Sequence, residues 1–187
     1  NVIIIGGHLP PLYNKKNYLI TKKESKNALK FLGVKETFYF DLAALEFHKK
    51  NYQIINSKIN AIMNRLNPTT VFIPFPDRHI DHRTIFDCAM VNTRPNKKNH
   101  PKFVISYETL SETHWNAPYI EPNFNPDFFI NIDDTLKDKI KALKCYQSQI
   151  KNNQSRSIES IEALARFRGS QNGCKYAEAF KLIRGIV

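Results

Sequence analysis

Two histidines and two aspartates fall within ten residues, Pro74-Phe-Pro-Asp-Arg-His-Ile-Asp-His-Arg83, and His79, Asp81 and His82 are the three whose types and spacing can do chemistry. A neutral imidazole nitrogen is a good ligand for Zn²⁺, and a carboxylate beside a histidine fixes its tautomer and orientation. The same pairing serves acid/base work, because an aspartate makes its histidine a stronger base and a more stable imidazolium. The two chemistries can share one site. A structural reading stands beside both: Asp81 as N-cap of a following helix, His79 as an exposed loop residue, and Asp77 with Arg78 as a surface ion pair. The spacing alone leaves these open.

The segment follows the apolar run Thr70-Val-Phe-Ile73, read as a strand, and precedes Thr84 to Val91, read as a short helix. Upstream, Val2-Ile-Ile-Ile5 has the β-branched density of a strand buried on both faces. It starts at Asn1, which sets the expectation that more chain precedes it. A first helix is expected from Thr21, where Glu24 three residues on completes a capping box and Gly33 supplies a left-handed stop. Thr37 to Asp41 reads as a second strand. Ile54, Ile55, Ile59, Ile62, Met63 and Leu66 recur at helical spacing up to Asn67-Pro68. Phe103–Tyr107 and Phe128–Ile132 read as further strands. Leu136 to Ile150, about Ser157 to Phe167, and Tyr176 to Ile183 read as helices. Alternating strands and helices define an α/β class, expected as a Rossmann-like three-layer sandwich with a mostly parallel sheet in a single domain, 1–187. Ligands of such sheets sit beyond the carboxyl ends of the strands, where the His/Asp segment lies.

The 187 residues carry a formal charge of +11. The lysines occur as scattered pairs, such as Lys15-Lys16, Lys22-Lys23, Lys49-Lys50 and Lys97-Lys98, rather than as one basic block, so a nucleic-acid partner is not expected. Cys88, Cys145 and Cys174 are odd in number and widely spaced, which suggests neither a disulfide framework nor a zinc ribbon and fits a reducing, cytoplasmic setting. No stretch approaches the apolar length of a transmembrane segment. Self-association into a homo-oligomer is left open. There is no dinucleotide fingerprint and no phosphate-binding P-loop.

Four segments, in order, resemble the PIG-L/LmbE family of zinc-dependent N-deacetylases. They are Ala28-Leu-Lys-Phe-Leu-Gly-Val34, His79-Ile-Asp-His-Arg83, Lys141-Ala-Leu-Lys-Cys-Tyr-Gln-Ser-Gln149, and Ala165-Arg-Phe-Arg-Gly169 with Tyr176-Ala-Glu-Ala-Phe180. The resemblance implies hydrolysis of the N-acetyl group of an N-acetylglucosamine-type sugar, as a small-molecule or lipid-linked substrate, with one Zn²⁺ per chain. It implies His82 as a metal ligand, His79 as the group that stabilises the tetrahedral intermediate and protonates the leaving amine, and Asp81 as the carboxylate that orients His79. The family's first motif, A-H-P-D-D-E, has no match in these residues. On this reading a first strand, its catalytic loop and a helix are missing, and with them the remaining metal ligands and the general base, so the domain is N-terminally incomplete. A rival reading is a non-catalytic carbohydrate-binding domain derived from that fold.

Other residues admit two readings each. Trp115, with Tyr107, Glu108 and His114 near it in a long loop, is either a platform for a sugar ring or a hydrophobic lid over the core. Arg166 and Arg168 meet an anionic substrate group or line a polar helix face. Glu178 is read as part of a packed helix, and His8 as an exposed loop histidine rather than a ligand.

Overall fold

A computed structural model describes the chain apart from residues 50–51, 96–99, 118 and 153, so Lys97-Lys98 and Lys50 lie outside the described residues. The order of elements is β1 (Val2–Gly7), α1 (Lys15–Phe31), β2 (Thr37–Ala43), α2 (Tyr52–Leu66), β3 (Thr70–Pro74), α3 (Ile80–Asn92), β4 (Phe103–Tyr107), β5 (Phe128–Asn131), α4 (Leu136–Lys144), α5 (Ile158–Ser170) and β6 (Ala177–Gly185). The class is α/β, as expected. Packing divides the chain into two compact units, Asn1–Glu46 with Asn131–Glu178, and Phe47–Ile130 with Ala179–Val187.

In the first unit β1 and β2 pair in parallel, from Val2 beside Thr37 to Gly7 beside Ala43, with α1 as the crossover between them. The helix starts six residues before the expected Thr21, because Asn14 adopts an extended conformation and its side chain accepts the Lys16 N–H at 2.8 Å. Thr21 is therefore interior to α1, and its hydroxyl bonds back to the Asn17 and Tyr18 carbonyls. Glu24 does no capping either: it accepts from the Ser148 N–H at 2.8 Å and hydroxyl at 2.6 Å, tying α1 to the turn after α4. The expected stop holds. Gly33 sits at φ 70°, and the Gly33 and Val34 amides donate to the Lys30 and Leu29 carbonyls, the paired bonds of a left-handed helix end.

Ile132, Leu136, Ala165 and Tyr176, with Ile140 against them, form an apolar cluster of this unit. The start of α5 is capped by Ser157, which accepts the Ser160 N–H at 3.0 Å. At its end, a Cβ on Gly169 would lie 2.7 Å from the Lys175 and Tyr176 backbone, so only glycine lets the returning chain pass so close.

In the second unit β3 and β4 pair in parallel, from Thr70 beside Phe103 to Pro74 beside Tyr107, and β6 runs antiparallel to β4. The strand order is β3-β4-β6-β5, so this sheet is mixed rather than mostly parallel. The helix expected over Tyr176 to Ile183 is instead most of β6. Ala, Glu, Lys and Leu favour a helix in isolation, but pairing along β4 and packing of Phe180 against Phe72 and Phe128 decide otherwise. Ile73, Ala89 and Val104 are buried together beneath Val71, Phe86, Met90 and Ile183, which anchors α3 on β3. A fully buried side chain such as Ile73 or Val104 contributes about 1.5–3 kcal/mol by leaving water. No described helix is long and apolar enough to cross a membrane.

Candidate active site

The chain leaves β3 through Phe75-Pro-Asp-Arg-His79 and enters α3 at once. The Phe75 N–H donates to the Tyr107 carbonyl at 3.0 Å, prolonging the strand pairing by one bond and fixing where the turn begins. His79, not Asp81, is the N-cap of α3: its backbone is extended (φ −69°, ψ 117°) and its Nδ1 accepts the Asp81 N–H at 3.2 Å. The helix thus starts four residues before the expected Thr84, and Asp81 lies buried in the first turn, where a negative charge suits the helix dipole.

Asp77 organises the segment. The residue is only 4 % exposed, and its carboxylate accepts from His82 Nδ1 at 2.9 and 3.0 Å, from the His79 N–H at 2.9 Å and from the Thr113 hydroxyl at 2.9 Å. Thr113 in turn accepts the Thr109 N–H at 2.8 Å, which binds the loop after β4 to the turn after β3. Burial pushes the Asp77 carboxyl up, but the His82 hydrogen bond and charge, with the His79 amide and Thr113 hydroxyl, outweigh it and hold the group below the usual range. Asp77 therefore stays ionised and can only accept.

That requirement assigns the protons on both histidines. His82 must carry its proton on Nδ1, facing Asp77, and when neutral it keeps its lone pair on Nε2. His79 accepts at Nδ1, so when neutral it carries its proton on Nε2. The rings stack 4.7 Å apart at 23°. One turn thus presents an acceptor nitrogen and a donor nitrogen on adjacent imidazoles, one suited to a cation and the other to a developing negative charge.

The sequence-derived candidates come together as follows. His79 and His82 meet by ring stacking, and Asp81 joins His79 through its main-chain N–H. The Asp77–Arg78 surface pair does not form. Asp77 is buried on His82, while Arg78 bonds Glu121 at 3.4 Å and lies over the Trp115 ring, 5.5 Å from its centroid. Trp115 is 59 % exposed, so it is no lid over a core. Arg168 is buried and donates to Gln171, whereas Arg166 lies over the Tyr176 ring, so the two do not jointly line a polar helix face. Glu178 pairs with Lys139 from a strand rather than a helix. His8 packs on Tyr13 with centroids 4.6 Å apart; burial and the Arg156 charge lower its pKa.

Among the described residues, no three His, Cys, Asp or Glu side chains gather closely enough to hold a metal ion. The donor chemistry of His82, a carboxylate on Nδ1 and a free Nε2, fits a single ligand position.

A model of the family described as PIG-L, GlcNAc-PI de-N-acetylase, matches residues 10–92, ending with α3 and including the whole His/Asp segment. Over those residues the chain is similar to that family. It is 29 % identical over 137 residues to a probable N-acetyl-alpha-D-glucosaminyl L-malate deacetylase 2 of Bacillus cereus, covering 70 % of the chain and 57 % of that relative. It is 22 % identical over 173 residues to the diacetylchitobiose deacetylase of Thermococcus kodakarensis, covering 88 % of the chain and 62 % of that relative. The chain thus spans about three fifths of the length of these curated relatives. The solved N,N'-diacetylchitobiose deacetylase of Pyrococcus horikoshii shares the fold, with a TM-score of 0.75 at 21 % identity over 98 % of this chain and 73 % of the other.

Proposed function

We propose that the protein is part of a metal-dependent N-deacetylase that hydrolyses the N-acetyl group of an N-acetylglucosamine-type amino sugar. The observation that carries this reading is the pair of complementary tautomers fixed on His79 and His82 by one buried carboxylate and one helix amide. The relatives' names supply the substrate class, a small or lipid-linked amino sugar.

In this reading His82 Nε2 is a ligand of Zn²⁺, with Asp77 holding the ring. When bound, the metal supplies a polarised water and acetamide carbonyl. His79 Nε2–H is the donor to the developing oxygen charge and, as an imidazolium, His79 then protonates the departing nitrogen. Asp81 orients it from the first turn of α3. Overall, water adds to the acetyl carbon, the C–N bond breaks, the nitrogen takes a proton, and acetate and a free amino sugar leave. Among the described residues, His82 supplies one ligand position and no cluster of three His, Cys, Asp or Glu completes the set. The free Cys88, Cys145 and Cys174 thiols support a cytoplasmic setting.

A rival reading is a sugar-binding domain without turnover. Elemental analysis beside acetate assays separates the two. The enzyme reading expects about one zinc per chain, lost in His82→Ala, with acetate released from N-acetylglucosaminyl substrates. A protein that takes up no metal and binds the sugar without releasing acetate contradicts it.

A further inference from the structure

We propose that Trp115 and Arg78 form a subsite for a second, neutral pyranose ring, the residue linked to the amino sugar whose acetyl group is removed. The proposal rests on the deacetylase reading for its substrate and deepens it.

Trp115 ends a short 3-10 turn, Thr113–Trp115, in the loop after β4, and the turn's first residue holds the Asp77 carboxylate at 2.9 Å. Arg78 lies between Asp77 and His79 in the chain, with its guanidinium over the indole. The platform is therefore joined to His79 by the peptide bond after Arg78, and to His82 by two hydrogen bonds in series, Thr113 to Asp77 and Asp77 to the imidazole. It is also set before any ligand arrives. The indole Nε1–H donates to the Ser111 carbonyl at 3.0 Å, and Asn116 just beyond donates to the Pro122 carbonyl at 3.0 Å and to Asn123 at 2.9 Å. Preset side chains lose little freedom on binding, which is where affinity for a flexible glycan is usually forfeited.

The chemistry of the platform selects its ligand. With its N–H already satisfied, the indole offers water only its apolar face and edges, 59 % exposed, and a pyranose presents a matching sheet of C–H groups. Arg78 retains N–H donors for hydroxyls. Its charge is met by Glu121, which bonds it at 3.4 Å and is held by the Ala117 N–H at 3.0 Å. A neutral, hydroxylated ring leaves that pair intact, whereas an anionic group would have to compete with Glu121 for the guanidinium.

Trp115 is the one tryptophan of the chain, so its emission reports on the subsite directly. Titration of the zinc-supplemented protein with N,N'-diacetylchitobiose should shift the emission saturably, at concentrations at least several-fold below those needed for N-acetylglucosamine. Trp115→Ala should raise the KM for the disaccharide roughly tenfold, the worth of one well-packed aromatic contact, with kcat changed much less, and Trp115→Phe should recover most of the loss. Emission that stays unchanged while acetate is released, or that responds equally to both sugars, overturns the subsite and leaves the deacetylase reading standing. A disaccharide-selective shift with no acetate released supports the subsite and sinks that reading instead.

Discussion

Asp77 and His82, five residues apart across the start of α3, are joined by carboxylate oxygens at 2.9 and 3.0 Å from Nδ1, and the carboxylate is buried. The ion-pair partner nearest in sequence, Arg78, takes no part. This contact fixes the proton of His82, and the Asp81 N–H on His79 Nδ1 gives the neighbouring imidazole the opposite pattern.

Asp77→Asn keeps the shape but replaces the anion with an amide that no longer has to receive a proton from His82. The expected result is a loss of about 10–100-fold in metal affinity or turnover, the usual cost of removing a carboxylate behind a metal-binding histidine. Thr113→Val should instead cost mainly stability, about 1–3 kcal/mol, by leaving one lone pair of the buried carboxylate unmet. Urea denaturation and metal titration of both variants measure the two effects separately.

Gly169→Ala is expected to destabilise by about 1–3 kcal/mol, since its Cβ would meet backbone atoms of Lys175 and Tyr176 at 2.7 Å and backbone cannot swing aside. Gly33→Ala meets nothing within 4 Å and should lose only about 1 kcal/mol, the strain of a positive φ of 70°. A Gly33 variant less stable than the Gly169 variant in the same urea series would contradict this ordering.

What the sequence exposes and what it hides divide along physical lines. The β-branched run at Val2–Ile5, the periodic isoleucines of α2 and the glycine stop at Gly33 are local signals, and the structure follows them. Cap residues competed more closely: Asn14 takes the start of α1 from Thr21, and His79 takes the start of α3 from Asp81. The sequence from Tyr176 to Ile183 carries helix-favouring residues, and its place between β5 and β4, the latter more than seventy residues earlier, makes it a strand. In the site, the histidines were legible from type and spacing. Thr113 was not, because its partner Asp77 lies 36 residues away and no periodicity links them. Asp77 had a faint signal, an acidic residue between a strand end and a helix start, that an adjacent arginine disguised.

Cys88 is fully buried, and burial with the Asp87 charge pushes its thiol up to about 11. Cys145 and Cys174 are partly exposed. In native protein at pH 8 a thiol reagent should label Cys145 and Cys174 and reach Cys88 only after unfolding, as peptide mapping would show. The raised pKa also has a sign. Above pH 9.0, the ordinary thiol value, the unfolded chain releases the Cys88 proton while the folded chain keeps it, so stability should fall from there to about pH 11. Cys88→Ala should flatten that part of a pH series of urea midpoints.

The central claim is that His79, the N-cap of α3, serves as the proton donor beside a metal held by His82. Acetate release from N,N'-diacetylchitobiose by the zinc-loaded protein and by His79→Ala, with zinc content measured on both, tests it most directly. The account predicts a turnover lower by about 10²–10⁴ with zinc content unchanged. Acetate release at the unaltered rate in His79→Ala would contradict it.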